Sequence, residues 1–143
     1  AAWNYKVGND FDAKFAALCP AGIDVYFDNV GGAITDAAIR HLSPGARICL
    51  CGQISQYNLE VPESGPRWLE QLIVTQARVQ GFLVSAFLER FPEGWAQLTQ
   101  WLHAGNLKYR EDVAHGIEAA PQAFIGMLQG KNEGKQLVQL SEL

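Results

Sequence analysis

Residues 23–52 read IDVYFDNVGGAITDAAIRHLSPGARICLCG, and this stretch decides the fold. Ile23 to Asn29 is an almost unbroken run of β-branched and aromatic residues, the mark of a strand covered on both faces. Gly31-Gly32 ends it. Ala33 to Leu42 has helical spacing, Ser43-Pro44-Gly45 reads as a turn, and Ala46 to Cys51 is a second apolar strand closing on Gly52. Strand, helix and strand within roughly 30 residues make a right-handed βαβ unit, because a parallel pair requires a crossover.

Working outward, Phe11, Phe15 and Leu18 recur at helical spacing behind Asn9 and Asp10, either of which can serve as N-cap, and Cys19-Pro20-Ala21-Gly22 stops that helix. Downstream, Gln53 to Pro66 is polar and broken by Pro62, Gly65 and Pro66, a loop long enough to suggest a functional role. Arg67 to Ala77 resumes helical spacing and Val79 to Ser85 reads as a third strand. The fold class is therefore α/β, with a doubly wound parallel sheet of at least three strands. The last third reads as a helix over Pro92 to Ala104, a strand over Lys108 to Val113, a helix over Ala119 to Gln129 and a strand over Gln136 to Leu140. These closing elements are expected to leave the βαβ rhythm as an α+β tail, giving a boundary between 1–88 and 89–143.

Composition narrows the function classes. Of 143 residues, 48% are hydrophobic and 18% charged, the profile of a folded domain. A net charge of −4 offers no basic stripe for phosphates, so neither nucleic acid nor an anionic membrane surface is an expected partner. No apolar run approaches the roughly 20 residues of a membrane span, and no signal-peptide pattern opens the chain, so a cytoplasmic location is expected. Three cysteines, Cys19, Cys49 and Cys51, form no C-x-x-C pair and read as small buried hydrophobes. The opening Ala-Ala-Trp, without Met, suggests a start inside a longer gene.

In an open parallel sheet, ligands bind beyond the carboxyl ends of the strands. That rule selects Asp28 to Gly32, Gly52 to Tyr57 and Ser85 to Phe87. Gly31, Gly32 and Gly52 allow close backbone approach, while Asn29, Ser55 and Tyr57 offer uncharged donors and acceptors. The same residues also suit an ordinary tight turn and a loop facing water. No G-x-G-x-x-G and no P-loop occurs. His41, His103 and His115 are too dispersed to join the cysteines in a metal site, and no G-x-S-x-G supports a serine hydrolase.

Four ordered motifs carry a resemblance: Asn4-Tyr5-Lys6, Gly22 to Gly32, Cys51-Gly52-Gln53-Ile54-Ser55-Gln56-Tyr57-Asn58, and Gly126-Met127-Leu128-Gln129-Gly130-Lys131-Asn132 followed by Gly134-Lys135. Together they resemble the zinc-independent medium-chain dehydrogenase/reductases, in the prostaglandin reductase and leukotriene B4 12-hydroxydehydrogenase branch. The resemblance covers essentially this whole chain and about the C-terminal 40% of such an enzyme. It implies half of a Rossmann doubly wound sheet over 1–88. It also implies a segment over 89–143 that returns to the substrate domain in full-length relatives. The implied activity is NADPH-dependent reduction of the carbon–carbon double bond of an α,β-unsaturated ketone or aldehyde, with no metal. By position, Tyr5, Asn29, Cys51, Gly52, Ile54, Ser55, Tyr57, Phe82, Val84 and Asn132 resemble NADP contacts, and Tyr57 resembles the tyrosine assigned to the substrate oxygen. The family's substrate domain, glycine-rich turn and phosphate-binding Lys have no counterpart here. The resemblance further implies a homodimer, through a strand over 82–87 or by strand exchange. Two alternatives stay open: a non-catalytic dimerising or binding module derived from such an enzyme, and a small flavodoxin-like domain for another ligand.

Overall fold

The structure is a computed structural model that describes residues 1–5, 7–8 and 10–141. It separates into two compact units, Ala1–Leu88 and Glu89–Leu143.

In the first unit the order is α1 (Phe11–Leu18), β1 (Ile23–Asp28), α2 (Ala33–Arg40), β2 (Leu42–Leu50), α3 (Leu69–Thr75) and β3 (Arg78–Gly81). The strands form one parallel sheet in the order β1-β2-β3. Asp10 caps α1 by accepting the Ala13 N–H at 2.9 Å; Asn9, the alternative cap, and Lys6 lie outside the described residues. Phe15, Ile23, Ala37, Ala38, Ile39, Leu42, Ala46 and Ile48 form the buried core. It lies where α1 and α2 meet the sheet face that carries the row Tyr26–Ile48–Val79.

Three expectations about this unit are corrected. First, β1 is covered on one face only: the opposite face carries the rows Val25–Arg47–Arg78 and Phe27–Cys49–Gln80, and Val25 and Phe27 are each more than half exposed. The apolar run promised two covering layers, and the described unit packs its helices against one. The three cysteines are accordingly free and half-buried rather than enclosed. Second, Ser43-Pro44-Gly45 lies inside β2. Ile23 pairs with Leu42 and Val25 with Arg47, so Asp24 faces the four-residue excursion Ser43 to Ala46. Proline has no N–H for the ladder, so the chain bulges there; Gly45 takes φ +77°, and the Ser43 hydroxyl bridges to Asp24 at 2.7 Å. Third, the strand over Val79 to Ser85 stops at Gly81, and Val84–Arg90 winds into 3₁₀ turns kinked at Phe87. β2 ends at Leu50, so after Phe82 N–H bonds Leu50 O at 3.1 Å the chain runs past its neighbour and satisfies itself locally, as Ala86 N does with Leu83 O at 3.0 Å. Among the described residues no strand runs over 82–87 within the chain itself.

The second unit holds α4 (Phe91–His103), β4 (Glu111–His115), a 3₁₀ turn (Ile117–Ala119), α5 (Ala120–Leu128) and β5 (Lys135–Gln139). β4 and β5 pair in parallel with α5 between them. The expectation that these elements abandon the βαβ rhythm is therefore wrong: they resume it in a sheet of their own. No residue of α4 or α5 is buried, and Trp95, Leu98, Trp101 and Leu102 leave an apolar stripe exposed on α4. None of the described helices is long and apolar enough to cross a membrane.

Candidate functional site

The site is built where β1 and β2 end. Asp28, the last residue of β1, is 1% exposed. Its Oδ1 accepts the Val30 N–H at 2.8 Å and the Gly31 N–H at 2.9 Å, and its Oδ2 accepts the Thr35 hydroxyl at 2.6 Å. The Thr35 hydroxyl has one proton and gives it to the carboxylate, so Tyr26, 3.2 Å away, donates to Thr35 Oγ1. Burial and the neighbouring Asp28 charge both raise the Tyr26 pKa, against the opposing effect of its bond to Thr35.

The turn so fixed carries the next loop. Asp28 O accepts the Cys51 and Gly52 N–H groups at 2.8 and 3.1 Å, Asn29 O accepts Ile54 N–H at 3.1 Å, and Val30 O accepts both Ser55 N–H at 3.1 Å and Ser55 Oγ–H at 2.6 Å. Five donors of the Cys51–Ser55 segment thus hang from three consecutive carbonyls. The loop then turns back, Gln56 N–H bonding Gln53 O, and places the Tyr57 hydroxyl 2.9 Å from Gln53 N, whose N–H donates to it. With its oxygen so engaged, the phenol proton is available to an outside acceptor. Gly52 leaves room at this crossing, since a Cβ there would stand 3.0 Å from Tyr57 Oη and 3.3 Å from Asn29 O, tight enough that a neighbour must shift.

Tyr57 stands over a cleft of about 670 Å³ lined by Leu50 to Gln53 from the end of β2, by Gly81 at the end of β3, and by Phe82, Leu83 and Ala86 beyond it. Among the described residues no charged side chain lines it. Phe82 is anchored by its N–H to Leu50 O at 3.1 Å, and its ring lies 5.9 Å from Phe27 and 5.7 Å from Phe87. A second, polar cleft of about 400 Å³ opens on the α2 side of the loop, between Asp36, Gln56, Glu63 and Trp68. There Gln56 Nε2 bridges Ser55 Oγ at 3.1 Å and Glu63 Oε2 at 3.0 Å, closing the long loop on itself. Desolvation raises the Asp36 pKa, helped by the Glu63 charge and opposed by Arg40.

Of the residues selected from sequence, Asn29, Cys51, Gly52, Ile54, Ser55, Tyr57 and Phe82 come together at these strand ends. Asn29 contributes through its carbonyl, with its side chain exposed. Val84 is 60% exposed on the 3₁₀ turn and does not line the cleft. Tyr5 sits half exposed in a turn closed by Val7 N–H to Asn4 O, and lines neither cleft. Asn132 belongs to the second unit, where its Nδ2 donates to Gly134 O at 2.8 Å. Sequence reasoning gave no role to the Asp28 carboxylate, although an Asp two residues before a turn is a known signal for closing it. Gln53 lies within the stretch that the strand-end rule selects, but its contribution is a backbone N–H that no side-chain pattern reveals.

A family model described as zinc-binding dehydrogenase matches residues 2–138. The chain belongs to that family. The 2-alkenal reductase (NADP(+)-dependent) of Nicotiana tabacum is 44% identical over 98% of this chain, and the NADPH-dependent curcumin reductase of Escherichia coli is 39% identical over 93%. The crystal structure of CurA in complex with NADPH, from Vibrio vulnificus, superposes with a TM-score of 0.86 at 44% identity over 96% of this chain. The chain spans 40% of each of those two reductases and 42% of CurA. The metal in the family's name finds no fit here: His41 bonds Asp12, and among the described residues no three His, Cys, Asp or Glu side chains converge. A nicotinamide nucleotide does fit the strand ends of this chain, because a cleft without charged lining among the described residues opens there, with Gly52 leaving room for close backbone approach.

Proposed function

We propose that Ala1–Leu88 is the C-terminal half of a Rossmann-type NADPH-binding domain, and that Glu89–Leu143 joins the substrate domain in the complete enzyme. That enzyme is a cytoplasmic reductase of the carbon–carbon double bond of α,β-unsaturated ketones and aldehydes. The observation that carries the reading is the Tyr57 phenol, fixed by the Gln53 N–H at the edge of an uncharged cleft at the strand ends. NADPH supplies the hydride when bound; Asn29, Cys51, Gly52, Ile54, Ser55, Tyr57 and Phe82 of the first unit would hold it. Tyr57 donates its phenol proton as a hydrogen bond to the substrate carbonyl, and that bond strengthens as negative charge grows on the oxygen. The Gln53 N–H orients the phenol beforehand, so no reorganisation is needed at the moment of reaction. Leu50, Phe82 and Leu83 give the cleft its apolar wall.

The test is a titration of the purified chain with NADPH, read by calorimetry and by energy transfer from Trp3, Trp68, Trp95 and Trp101, followed by NADPH absorbance with an added enone. Saturable binding, weakened in Asn29→Ala and in Tyr57→Phe, is expected, with turnover belonging to the complete enzyme. No binding up to millimolar NADPH overturns the reading for this chain.

A second reading rests on the bare outer edge of β1 and its exposed Val25 and Phe27. An open apolar edge invites pairing with a second copy by strand exchange, which would make the chain a non-catalytic dimerising module. A monomer by light scattering at micromolar concentration removes this alternative.

A further inference from the structure

The Asp28 carboxylate is buried, and among the described residues no cation pairs with it. Its partners are two N–H groups of the following turn and one hydroxyl. A carboxylate so placed is maintained only if those charge-assisted bonds offset its desolvation, and they hold the turn residues in a single arrangement. That turn carries the site. Its three carbonyls, at Asp28, Asn29 and Val30, receive five donors of the Cys51–Ser55 segment, and the segment in turn presents the Gln53 N–H to the Tyr57 phenol.

We propose that Asp28 is a positioning residue which, with Thr35, sets the location of the Tyr57 phenol by fixing the Asn29–Gly32 turn from which the Gly52–Tyr57 loop hangs. The proposal deepens the assignment of Tyr57 as the group that meets the substrate oxygen, and rests on it for its catalytic meaning. The order of dependence is directional. Asp28 governs the turn, the turn governs the loop, and the loop governs the phenol; nothing in the contacts makes the turn depend on Tyr57. Thr35 extends the device into α2, since its hydroxyl is the third donor to Asp28 and the acceptor for Tyr26. Asparagine at 28 would retain an acceptor for the Val30 and Gly31 N–H groups, whereas alanine would leave both without one. Serine at 35 would retain the hydroxyl that valine removes.

Amide hydrogen exchange by NMR on the full chain tests this. Ile48, in the core of β2, is the reference for global opening. In Asp28→Ala, exchange at Ile54 and Ser55 should accelerate about tenfold relative to Ile48, and Asp28→Asn should restore most of that protection, because a lost bond at a buried anchor shifts local opening by roughly that factor. Tyr57→Phe should accelerate Gln53 alone. If Asp28→Ala does not fold, Thr35→Val and its rescue Thr35→Ser give the same contrast. Equal acceleration at Ile48, Ile54 and Ser55 would show that Asp28 merely stabilises the fold, and overturns the proposal; so does unchanged protection at Ile54 and Ser55. NADPH titration of the same samples separates the two claims. The exchange pattern without NADPH binding in the wild type supports the positioning role while overturning the proposed function. Binding that Asp28→Ala leaves intact, with Ile54 and Ser55 still protected, does the reverse.

Discussion

Gly52→Ala isolates the position of the Tyr57 phenol from the stability of the loop that carries it. The φ of Gly52 is one that any residue can adopt, so alanine adds no backbone strain. Its methyl would stand 3.0 Å from Tyr57 Oη and 3.3 Å from Asn29 O. Asn29 O is committed to the Ile54 N–H at 3.1 Å and cannot withdraw without breaking the stitch between the two loops. The tyrosine therefore yields, by about 0.4 Å to reach ordinary contact, and the 2.9 Å bond from Gln53 N lengthens toward the limit of hydrogen bonding. That bond is exposed and contributes about 1 kcal/mol or less, so the urea midpoint should move little. Chemistry should suffer more, because a misplacement of about 1 Å can cost about a hundredfold and a shift of about half that therefore about tenfold. The assay is enone-dependent NADPH oxidation beside urea unfolding of the same preparation. Combining Gly52→Ala with Tyr57→Phe should add almost nothing to Tyr57→Phe, since both act on one group. Turnover within about twofold of wild type, or a midpoint loss above about 1 kcal/mol that accounts for the fall in activity, would refute the reasoning.

Two further outcomes test the one-sided core and the outer face of α1. Ile48→Ala removes a side chain that is 1% exposed and should cost about 2–5 kcal/mol in denaturant unfolding, whereas Phe27→Ala, at 56% exposed on the bare sheet face, should cost less than about 1 kcal/mol; equal costs would mean that face is covered in solution. Asp12 is held at a pKa of about 2 by its hydrogen bonds to Arg40 and then His41, so the stabilisation from this pair is complete above its ordinary carboxylate value and is lost as pH falls toward 2. Urea midpoints from pH 5 down to pH 2 should fall less steeply in Arg40→Met than in wild type, and parallel profiles would show that the pair contributes nothing.

What the sequence conveyed best was anything written as side-chain periodicity. The run from Ile23 to Asp28 could be nothing but a strand, and the alternation of strands and helices to Gly81 led directly to a parallel α/β sheet. It failed where an element depends on a neighbour rather than on its own residues. Val25 and Phe27 have the composition of a doubly covered strand and lie bare, because composition records the layers a strand can carry and not those present. Val79 to Ser85 has strand composition throughout, yet beyond Gly81 there is no adjacent strand to bond, so the backbone curls into 3₁₀ turns. The Ser43-Pro44-Gly45 excursion misled for the opposite reason: turn residues do make a local bend, and the ladder simply continues on either side of it.

The site was legible in the same partial way. The rule that ligands meet strand ends placed Asn29, Gly52, Ser55 and Tyr57 together before any coordinates, since parallel strands must deliver their carboxyl ends to one edge. It gave no hint of how they are held. That work falls to backbone groups, the carbonyls of Asp28, Asn29 and Val30 and the N–H of Gln53, which every sequence possesses and none advertises. The side chain that organises them, Asp28, lies in the selected stretch, but its role is hidden because an acidic residue beside a turn is usually a solvated surface group; its burial, with three donors and no cation among the described residues, marks it as structural to the site. Identity and chemistry thus follow from the residues a ligand would touch, while catalytic placement follows from those one layer behind, and a sequence reading that stops at the first set mistakes a collection of suitable groups for an assembled site.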